Sequence, residues 1–160
     1  LEELLEAGFP ARTALEMMNT ALVIGREEIR FSTIDISIFD LYEGTVDILK
    51  AGASTTFIRH QNGVERICST NLPLGVIQDL EIQSVHKHLQ SGDFVIMITD
   101  GIMDALPVGE QEFLLDTIIR GTSLNNPKEM AHHILEQVLE WTGEEPMDDM
   151  TVLVVGIWRI

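Results

Sequence analysis

Two short acidic motifs carry the residue types best suited to chemistry in this sequence. The first motif, residues 99–104, follows an apolar run and contains Asp100, Gly101 and Asp104. The second motif, residues 148–151, begins with Asp148 and Asp149 and leads into the last apolar run. Carboxylate oxygens are the ligands that Mn²⁺ and Mg²⁺ prefer, and such an ion can turn a bound water into a nucleophile near neutral pH. Because Gly101 lacks a Cβ, its backbone can approach an ion closely.

Other readings of the polar residues are structural. An Asp-Gly pair after a strand is a common turn, and the later acidic pair can simply cap a loop. His86 and His88 share one face of a predicted strand, whereas His132 and His133 are neighbours on a predicted helix and point in different directions. Neither histidine pair has a third ligand at metal spacing, so we leave both outside the candidate site.

Two strands are needed to bring the acidic motifs together. The runs at 94–99 and 150–158 are apolar enough to be strands, and the second is predicted to be a central strand buried on both faces. If these strands are antiparallel neighbours, the end of one lies beside the start of the other. Asp100 and Asp148 can then converge on one ion at the rim of a sheet, which is a rigid support.

The rest of the chain predicts an α+β fold, in which helices precede and follow antiparallel strands. Asn126 is placed to cap the last helix. The strands at 81–88 and 94–99 are expected to pair across residues 91–93 as part of a meander. The predicted helices cover 1–7, 10–25, 110–120 and 127–141. Sheet structure is predicted from residue 29, with strand alternation at 34–40, and the further predicted strands cover 45–51, 55–60, 64–68, 81–88, 94–99 and 150–158.

Composition excludes several classes of function. The chain has 160 residues, a formal net charge of −16 and a pI near 4.4, so it fits one domain and would repel a nucleic acid. No apolar run approaches the roughly 20 residues that a membrane span needs, and residues 1–3 do not resemble the basic start of a secretory signal. We therefore expect a cytoplasmic segment without membrane contact. Its single cysteine, Cys68, is predicted to be a small buried apolar group in a reducing compartment.

Taken in order, the two acidic motifs resemble those of the metal-dependent PPM phosphatase family, also called type 2C. That family has a strand ending in Ser/Thr-Asp-Gly, as at 98–101, and a late Asp-Asn/Asp-x-Thr before a terminal strand, as at 148–151. The bacterial branch that includes stage II sporulation protein E also has a Lys-x-Gly turn and an Asn-Leu-Pro-Leu/Ile-Gly loop, which residues 50–53 and 71–75 resemble. The similarity extends over almost the whole chain.

This resemblance implies a layered α-β-β-α sandwich of two antiparallel sheets flanked by helices, and the activity of a phosphoserine or phosphothreonine protein phosphatase. Asp100, Gly101 and Asp148 would bind metal, and Asp100 and Asp148 would be catalytic. Asp104 matches the position that supports an extra, weaker metal in some members, and Asp149 would lie behind the ligands. The complete domain would hold two Mn²⁺ or Mg²⁺ ions, with a metal-bridging water as nucleophile. The implied substrate is a phosphorylated anti-sigma-factor antagonist in sporulation control.

One feature of the family is expected to lie outside this sequence. The family's bridging carboxylate comes from an earlier Asp-Gly motif, on a strand before the first helix, and residues 1–7 read as the end of a helix already in progress. We therefore expect residues 1–160 to be a single phosphatase domain, truncated at its N-terminus, with weak metal binding and little activity by itself. Unpaired sheet edges would invite self-association, for example as a homodimer. The resemblance also implies a regulated, membrane-anchored parent protein.

Two alternatives stay open. The chain could be a non-catalytic, phosphatase-like module that docks a signalling partner, although the retention of Asp100 and Asp148 disfavours this interpretation. It could also be an assembly fragment whose acidic motifs are only turns. In that case its melting temperature would not respond to Mn²⁺ even after the upstream segment is restored.

Overall fold

The computed structural model describes residues 1–25, 31–142 and 148–158, which contain five helices and two antiparallel sheets. The predicted α+β class is confirmed. None of the helices in these residues has the length and apolarity that crossing a membrane requires. The helices are α1 (Glu2–Glu6), α2 (Ala11–Ile24), α3 (Asp100–Asp104), α4 (Gln111–Gly121) and α5 (Pro127–Thr142), and the strands are β1 (Ile34–Asp40), β2 (Thr45–Ala51), β3 (Thr56–His60), β4 (Gly63–Ile67), β5 (Gln83–His88), β6 (Phe94–Ile98) and β7 (Val152–Gly156).

One compact unit comprises Leu1–Ala53 and Ser69–Lys87 and contains a three-stranded sheet in the order β1-β2-β5. α2 packs on this sheet because its apolar residues recur at helical spacing and form one stripe. The predicted helix at 10–25 is confirmed, with Pro10 as its N-cap. The buried apolar side chains of this core are Leu15, Leu49, Ala51, Leu74, Leu80 and Ile82.

A single polar side chain fixes α2 to the loop that follows Leu74. Asn19 is only 2% exposed, and its Nδ2 donates to the carbonyl oxygens of Ile77 and Gln78, each at 2.9 Å. Its Oδ1 accepts the Gly75 N–H at 2.8 Å. A buried amide is tolerated here because both of its polar atoms have partners.

The same unit contains a buried ion pair. Asp35 and Lys50 are opposite one another on the antiparallel strands β1 and β2. The Lys50 side chain is fully buried, and its Nζ lies 2.5 Å from Asp35 Oδ2. Burial of a lysine ammonium group is unfavourable in free energy unless its charge is paired. The contact with Asp35 therefore explains why Lys50 can be buried.

The other compact unit comprises Ser54–Cys68 and His88–Ile160, and its four-stranded antiparallel sheet has the order β4-β3-β6-β7. α4 and α5 cover one face of this sheet. The predicted cap of α5 is confirmed, because Asn126 Oδ1 accepts the N–H groups of Lys128 at 2.9 Å and Glu129 at 3.2 Å. The buried side chains of this core are Phe57, Phe94, Ile96, Ile98, Ile102, Leu106, Leu115, Ile119, Met130, Ile134 and Val138.

The predicted pairing of the strands at 81–88 and 94–99 is wrong. β5 joins β2 in one sheet, whereas β6 joins β3 and β7 in the other. The turn between β5 and β6 bonds to the end of β7 instead: the Gly92 N–H donates to the Ile157 carbonyl at 2.7 Å, and the Ile157 N–H donates to the Asp93 carbonyl at 2.9 Å. The turn-forming residues therefore mark a change of sheet rather than a hairpin.

The prediction that the last strand is central is also wrong, because β7 is at the edge of its sheet among the described strands. Val152 and Val154 pack on the core, but Leu153 is 54% exposed. Beyond the strand, the Trp158 ring folds back so closely over Gly156 that a Cβ there would lie 2.2 Å from it. Trp158 also meets Phe94 edge-to-face, with ring centroids 5.6 Å apart.

Cys68 is exposed rather than buried as predicted. Its Sγ lies 3.3 Å from Glu112 Oε1 and 3.7 Å from Thr55 Oγ1. Partial desolvation of the sulfur is the main cause that raises the pKa of Cys68, and the Glu112 carboxylate raises it further. A raised pKa keeps the thiol protonated, which is unlike the low-pKa environment of a reactive cysteine.

Candidate metal centre

β6 and β7 are antiparallel neighbours, which confirms the strand arrangement on which the predicted site depends. Ile98 pairs with Val152 at the end of their ladder. The pairing continues one residue further, because the Thr99 N–H donates to the Thr151 carbonyl oxygen at 3.1 Å. The two acidic motifs therefore lie side by side where they leave the sheet.

The side chain of Thr99 also joins the two motifs. Its Oγ1 accepts the Thr151 N–H at 2.8 Å and donates to the Asp149 carbonyl oxygen at 3.1 Å. Gly101 packs against the same carbonyl, and a Cβ at this position would lie 2.5 Å from the Asp149 oxygen. Since that distance is too short for a real contact, only glycine fits here without a shift of the backbone.

Asp100 and Asp148 are exposed carboxylates on these adjacent segments. Asp100 Oδ1 accepts the Gly101 N–H at 3.2 Å, and Asp148 Oδ1 accepts the Asp149 N–H at 2.7 Å. The second oxygen of each carboxylate accepts no hydrogen bond from the described residues, and neither group forms an ion pair with them. Each carboxylate is thus oriented by one oxygen and offers the other to a ligand.

This donor set fits a hard divalent cation that keeps several water ligands. Mg²⁺ is commonly held by only one or two protein carboxylates, with water or phosphate oxygens completing the octahedron. Within residues 1–25, 31–142 and 148–158, no group of three or more His, Cys, Asp or Glu side chains is placed to hold a metal. The assignment of Asp100, Gly101 and Asp148 to a metal remains a prediction.

The local structure after β6 differs from the turn that an Asp-Gly pair suggests. Residues Asp100–Asp104 form the short helix α3, which closes on the core through Ile102 and Leu106. Asp104 is exposed one turn after Asp100, and no hydrogen bond or ion pair among the described residues joins it to the second motif. The Asp149 side chain is also exposed, and the residue contacts Thr99 through its backbone carbonyl oxygen. The roles predicted for Asp104 and Asp149 stay predictions.

Sequence reasoning missed the hydroxyl of Thr99. Thr99 is the residue before Asp100 in the first motif, and Thr151 closes the second. A polar residue at the end of each of two converging strands indicates a possible side-chain hydrogen bond between them. This signal predicts the bond only when the register of the two strands is known.

Comparison with known proteins identifies the family. The family model for stage II sporulation protein E (SpoIIE) matches residues 1–158. Stage II sporulation protein E of Bacillus subtilis (strain 168) is 32% identical over 158 residues, which are 98% of this chain and 19% of that protein. Phosphoserine phosphatase RsbU of the same organism is 22% identical over 161 residues, which are 97% of this chain and 48% of that protein.

Solved structures give the same assignment. The PP2C phosphatase domain of SpoIIE from Bacillus subtilis, solved with a fragment of its regulatory domain, matches with a TM-score of 0.88 and 32% identity, over 98% of this chain and 47% of that chain. The manganese-presoaked phosphatase domain of SpoIIE from Bacillus subtilis matches with a TM-score of 0.77 and 29% identity, over 99% and 72% of the two chains.

The fold is that of a PP2C-type phosphatase domain, as in the matching solved structures of SpoIIE. Within that class, the chain belongs to the stage II sporulation protein E family. It spans about a fifth of the length of the Bacillus subtilis relative.

Proposed function

We propose that this chain is part of a catalytic domain that hydrolyses phosphoserine or phosphothreonine in a protein substrate, with Mn²⁺ or Mg²⁺ held by Asp100 and Asp148. The observation that carries the proposal is the antiparallel register of β6 and β7, which sets the two acidic motifs side by side. The name of the relative RsbU, a phosphoserine phosphatase, and the manganese-presoaked relative support the same chemistry.

Each residue of the site has a role that follows from its position. Asp100 and Asp148 hold the ion through their available oxygens, because Oδ1 of each is already engaged by a backbone N–H. Gly101 keeps the two segments close. Asp149 orients the Asp148 carboxylate through its N–H. When bound, such a cation would supply an activated water and would offset the negative charge of the phosphoryl group.

The finer function follows from the same family resemblance. The substrate is a phosphorylated anti-sigma-factor antagonist, and its dephosphorylation acts in sporulation control on the cytoplasmic side. The domain in its complete form holds two ions, with Asp104 as a ligand of an additional, weaker one. Among the described strands β7 lies at the edge of its sheet, and such an edge can add a strand from a second copy, which supports self-association.

The test is phosphate release from a phosphoserine protein by the full natural polypeptide that contains this segment. We expect Mn²⁺-dependent release that is lost in Asp100→Asn, because a neutral amide is a poor ligand for a hard cation. Asp79→Asn is the matched control, since Asp79 is an exposed aspartate in the other compact unit. Equal, negligible release from the wild type and Asp100→Asn would refute the phosphatase proposal.

A second candidate function is a phosphatase-like module that docks a signalling partner without turnover. Among the described residues, no group of three or more side chains is placed to hold a metal. We therefore expect the chain of 160 residues alone to bind Mn²⁺ weakly. Isothermal titration with Mn²⁺ measures this, and a tight stoichiometric site in this chain would contradict the expectation.

A further inference from the structure

Thr99 occupies the N-cap position of α3, yet its side chain does not cap that helix. A threonine at an N-cap normally accepts a hydrogen bond from a backbone N–H in the first turn of its own helix. The Thr99 hydroxyl instead reaches across to the segment before β7. The Thr99 hydroxyl therefore forms no capping hydrogen bond in α3 and contacts the second acidic motif instead.

The two hydrogen bonds of this hydroxyl have a fixed direction. The Thr151 N–H can only donate, so Thr99 Oγ1 is the acceptor in that contact of 2.8 Å. The Asp149 carbonyl can only accept, so the hydroxyl hydrogen points to it across 3.1 Å. A hydroxyl has one hydrogen to donate, and here it is committed. The orientation of the Thr99 side chain is therefore fully specified.

A short chain of contacts leads from this hydroxyl to the carboxylates. Thr99 fixes the carbonyl of Asp149, and the N–H of Asp149 donates to Asp148 Oδ1 at 2.7 Å. On the other side, Thr99 directly precedes Asp100. The close approach of Gly101 to the Asp149 carbonyl places the first turn of α3 against the same carbonyl.

We infer that Thr99 is a positioning residue, whose hydroxyl sets the separation and orientation of Asp100 and Asp148 for metal binding. The inference rests on the proposed metal-dependent function. Groups that orient metal ligands without touching the metal commonly contribute about 10- to 100-fold to metal affinity. The backbone pairing of Thr99 with Thr151 is independent of the side chain, so a substitution can remove the hydroxyl alone.

The experiment compares Thr99→Val, which replaces the hydroxyl with a methyl group of similar size, with Thr99→Ser, which retains the hydroxyl. Both are made in the full natural polypeptide. Thr117→Val is the matched control, because the Thr117 hydroxyl is exposed on α4 and donates only to the Phe113 carbonyl of its own helix at 2.8 Å. Mn²⁺ affinity is measured from the electron paramagnetic resonance signal of the free ion, and amide exchange at Thr151 is measured without metal.

We expect Thr99→Val to weaken Mn²⁺ binding by about 10- to 100-fold and to speed exchange at Thr151, while Thr99→Ser and Thr117→Val retain the wild-type values. Unchanged affinity in Thr99→Val, or an equal loss in Thr99→Ser, would overturn the role of the hydroxyl. If the wild type binds no Mn²⁺ at all, the proposed metal centre itself is overturned. Exchange at Thr151 that is as fast in the wild type as in Thr99→Val would show that the hydroxyl bridge is absent.

Discussion

The carboxylate of Asp35 and those of Asp100 and Asp148 are in opposite environments. Asp35 lies beside the fully buried Lys50, whose Nζ is 2.5 Å from Oδ2. Asp100 and Asp148 are exposed, and among the described residues each is engaged only by the N–H of the residue that follows it. Among the described residues, a cation lies beside the first carboxylate and none beside the other two.

This difference in burial determines which kind of cation each carboxylate can bind. Lys50 is a permanent counter-ion of Asp35, whereas Asp100 and Asp148 can bind an exchangeable cation. A buried charge must have a partner at all times, because desolvation without one costs several kcal/mol. An exposed carboxylate pays no such penalty and can exchange its counter-ion with solvent. The Asp35–Lys50 ion pair therefore stabilises the fold. The exposed Asp100 and Asp148 carboxylates are suited to a cation that arrives from solution.

The largest effect on stability is expected from Lys50→Met, which leaves the Asp35 carboxylate without its cation. We expect the free energy of unfolding to fall by about 3–5 kcal/mol, with Mn²⁺ affinity unchanged. Denaturant titration measures the first quantity. The double substitution Lys50→Met with Asp35→Leu should regain most of the loss, since no charge is then left unpaired. A loss below about 1 kcal/mol in the single variant would contradict the importance of this pair.

Gly101→Ala should affect both stability and the candidate site. The added Cβ would lie 2.5 Å from the Asp149 carbonyl oxygen, so the backbone must shift. We expect a loss of about 2 kcal/mol and Mn²⁺ binding that is weaker by about tenfold, measured in the full natural polypeptide. Gly121→Ala is the control, because nothing lies within 4 Å of a Cβ there. Equal behaviour of the two variants would mean that the Gly101 contact is unimportant.

Asp100→Asn should have a small effect on folding and a large one on the metal response. Asp100 is exposed, so we expect its substitution to change the free energy of unfolding by no more than about 0.5 kcal/mol. The rise in melting temperature that Mn²⁺ causes in the full natural polypeptide should disappear, as it should for the wild type after chelation with EDTA. A full Mn²⁺ response in Asp100→Asn would remove Asp100 from the site.

Glu112 is intermediate between the two kinds of carboxylate and gives the smallest expected effect. It is partly exposed, with Arg66 at 3.4 Å and the Cys68 thiol at 3.3 Å. Because the Glu112 charge contributes to the raised pKa of Cys68, Glu112→Gln should lower that pKa and increase the thiolate fraction. We expect alkylation of Cys68 by iodoacetamide at pH 8 to become roughly 2- to 5-fold faster. A slower reaction in Glu112→Gln would mean that the Glu112 side chain lowers, rather than raises, the pKa of Cys68.

The sequence was sufficient for the parts of the site that depend on local pattern. Apolar runs adjoining an acidic motif predicted both β6 and β7, because strand residues that face a core are apolar and the residues after them are free to be polar. The N-cap at Asn126 was predicted for a similar reason, since its side chain bonds within its own first turn. The neighbouring placement of the two motifs required only that these strands pair.

The parts that the sequence did not predict depend on contacts between distant residues. α3 begins with an Asp-Gly pair, which favours a turn, and its helical form accompanies the burial of Ile102 and Leu106 in the core. The turn at Gly92 bonds to Ile157, which lies far along the chain. The Thr99 bridge likewise joins residues about 50 positions apart in sequence. No local pattern encodes such partners.

The packing of Trp158 provides an optical probe of the sheet that supports the candidate site. The chain has two tryptophans, and Trp141 is on α5 while Trp158 lies edge-on to Phe94 at the first residue of β6. In a Trp141→Phe variant, the remaining indole emission would come from the position where β7 ends against β6. Stopped-flow fluorescence would then time the docking of the last strand separately from the formation of α5.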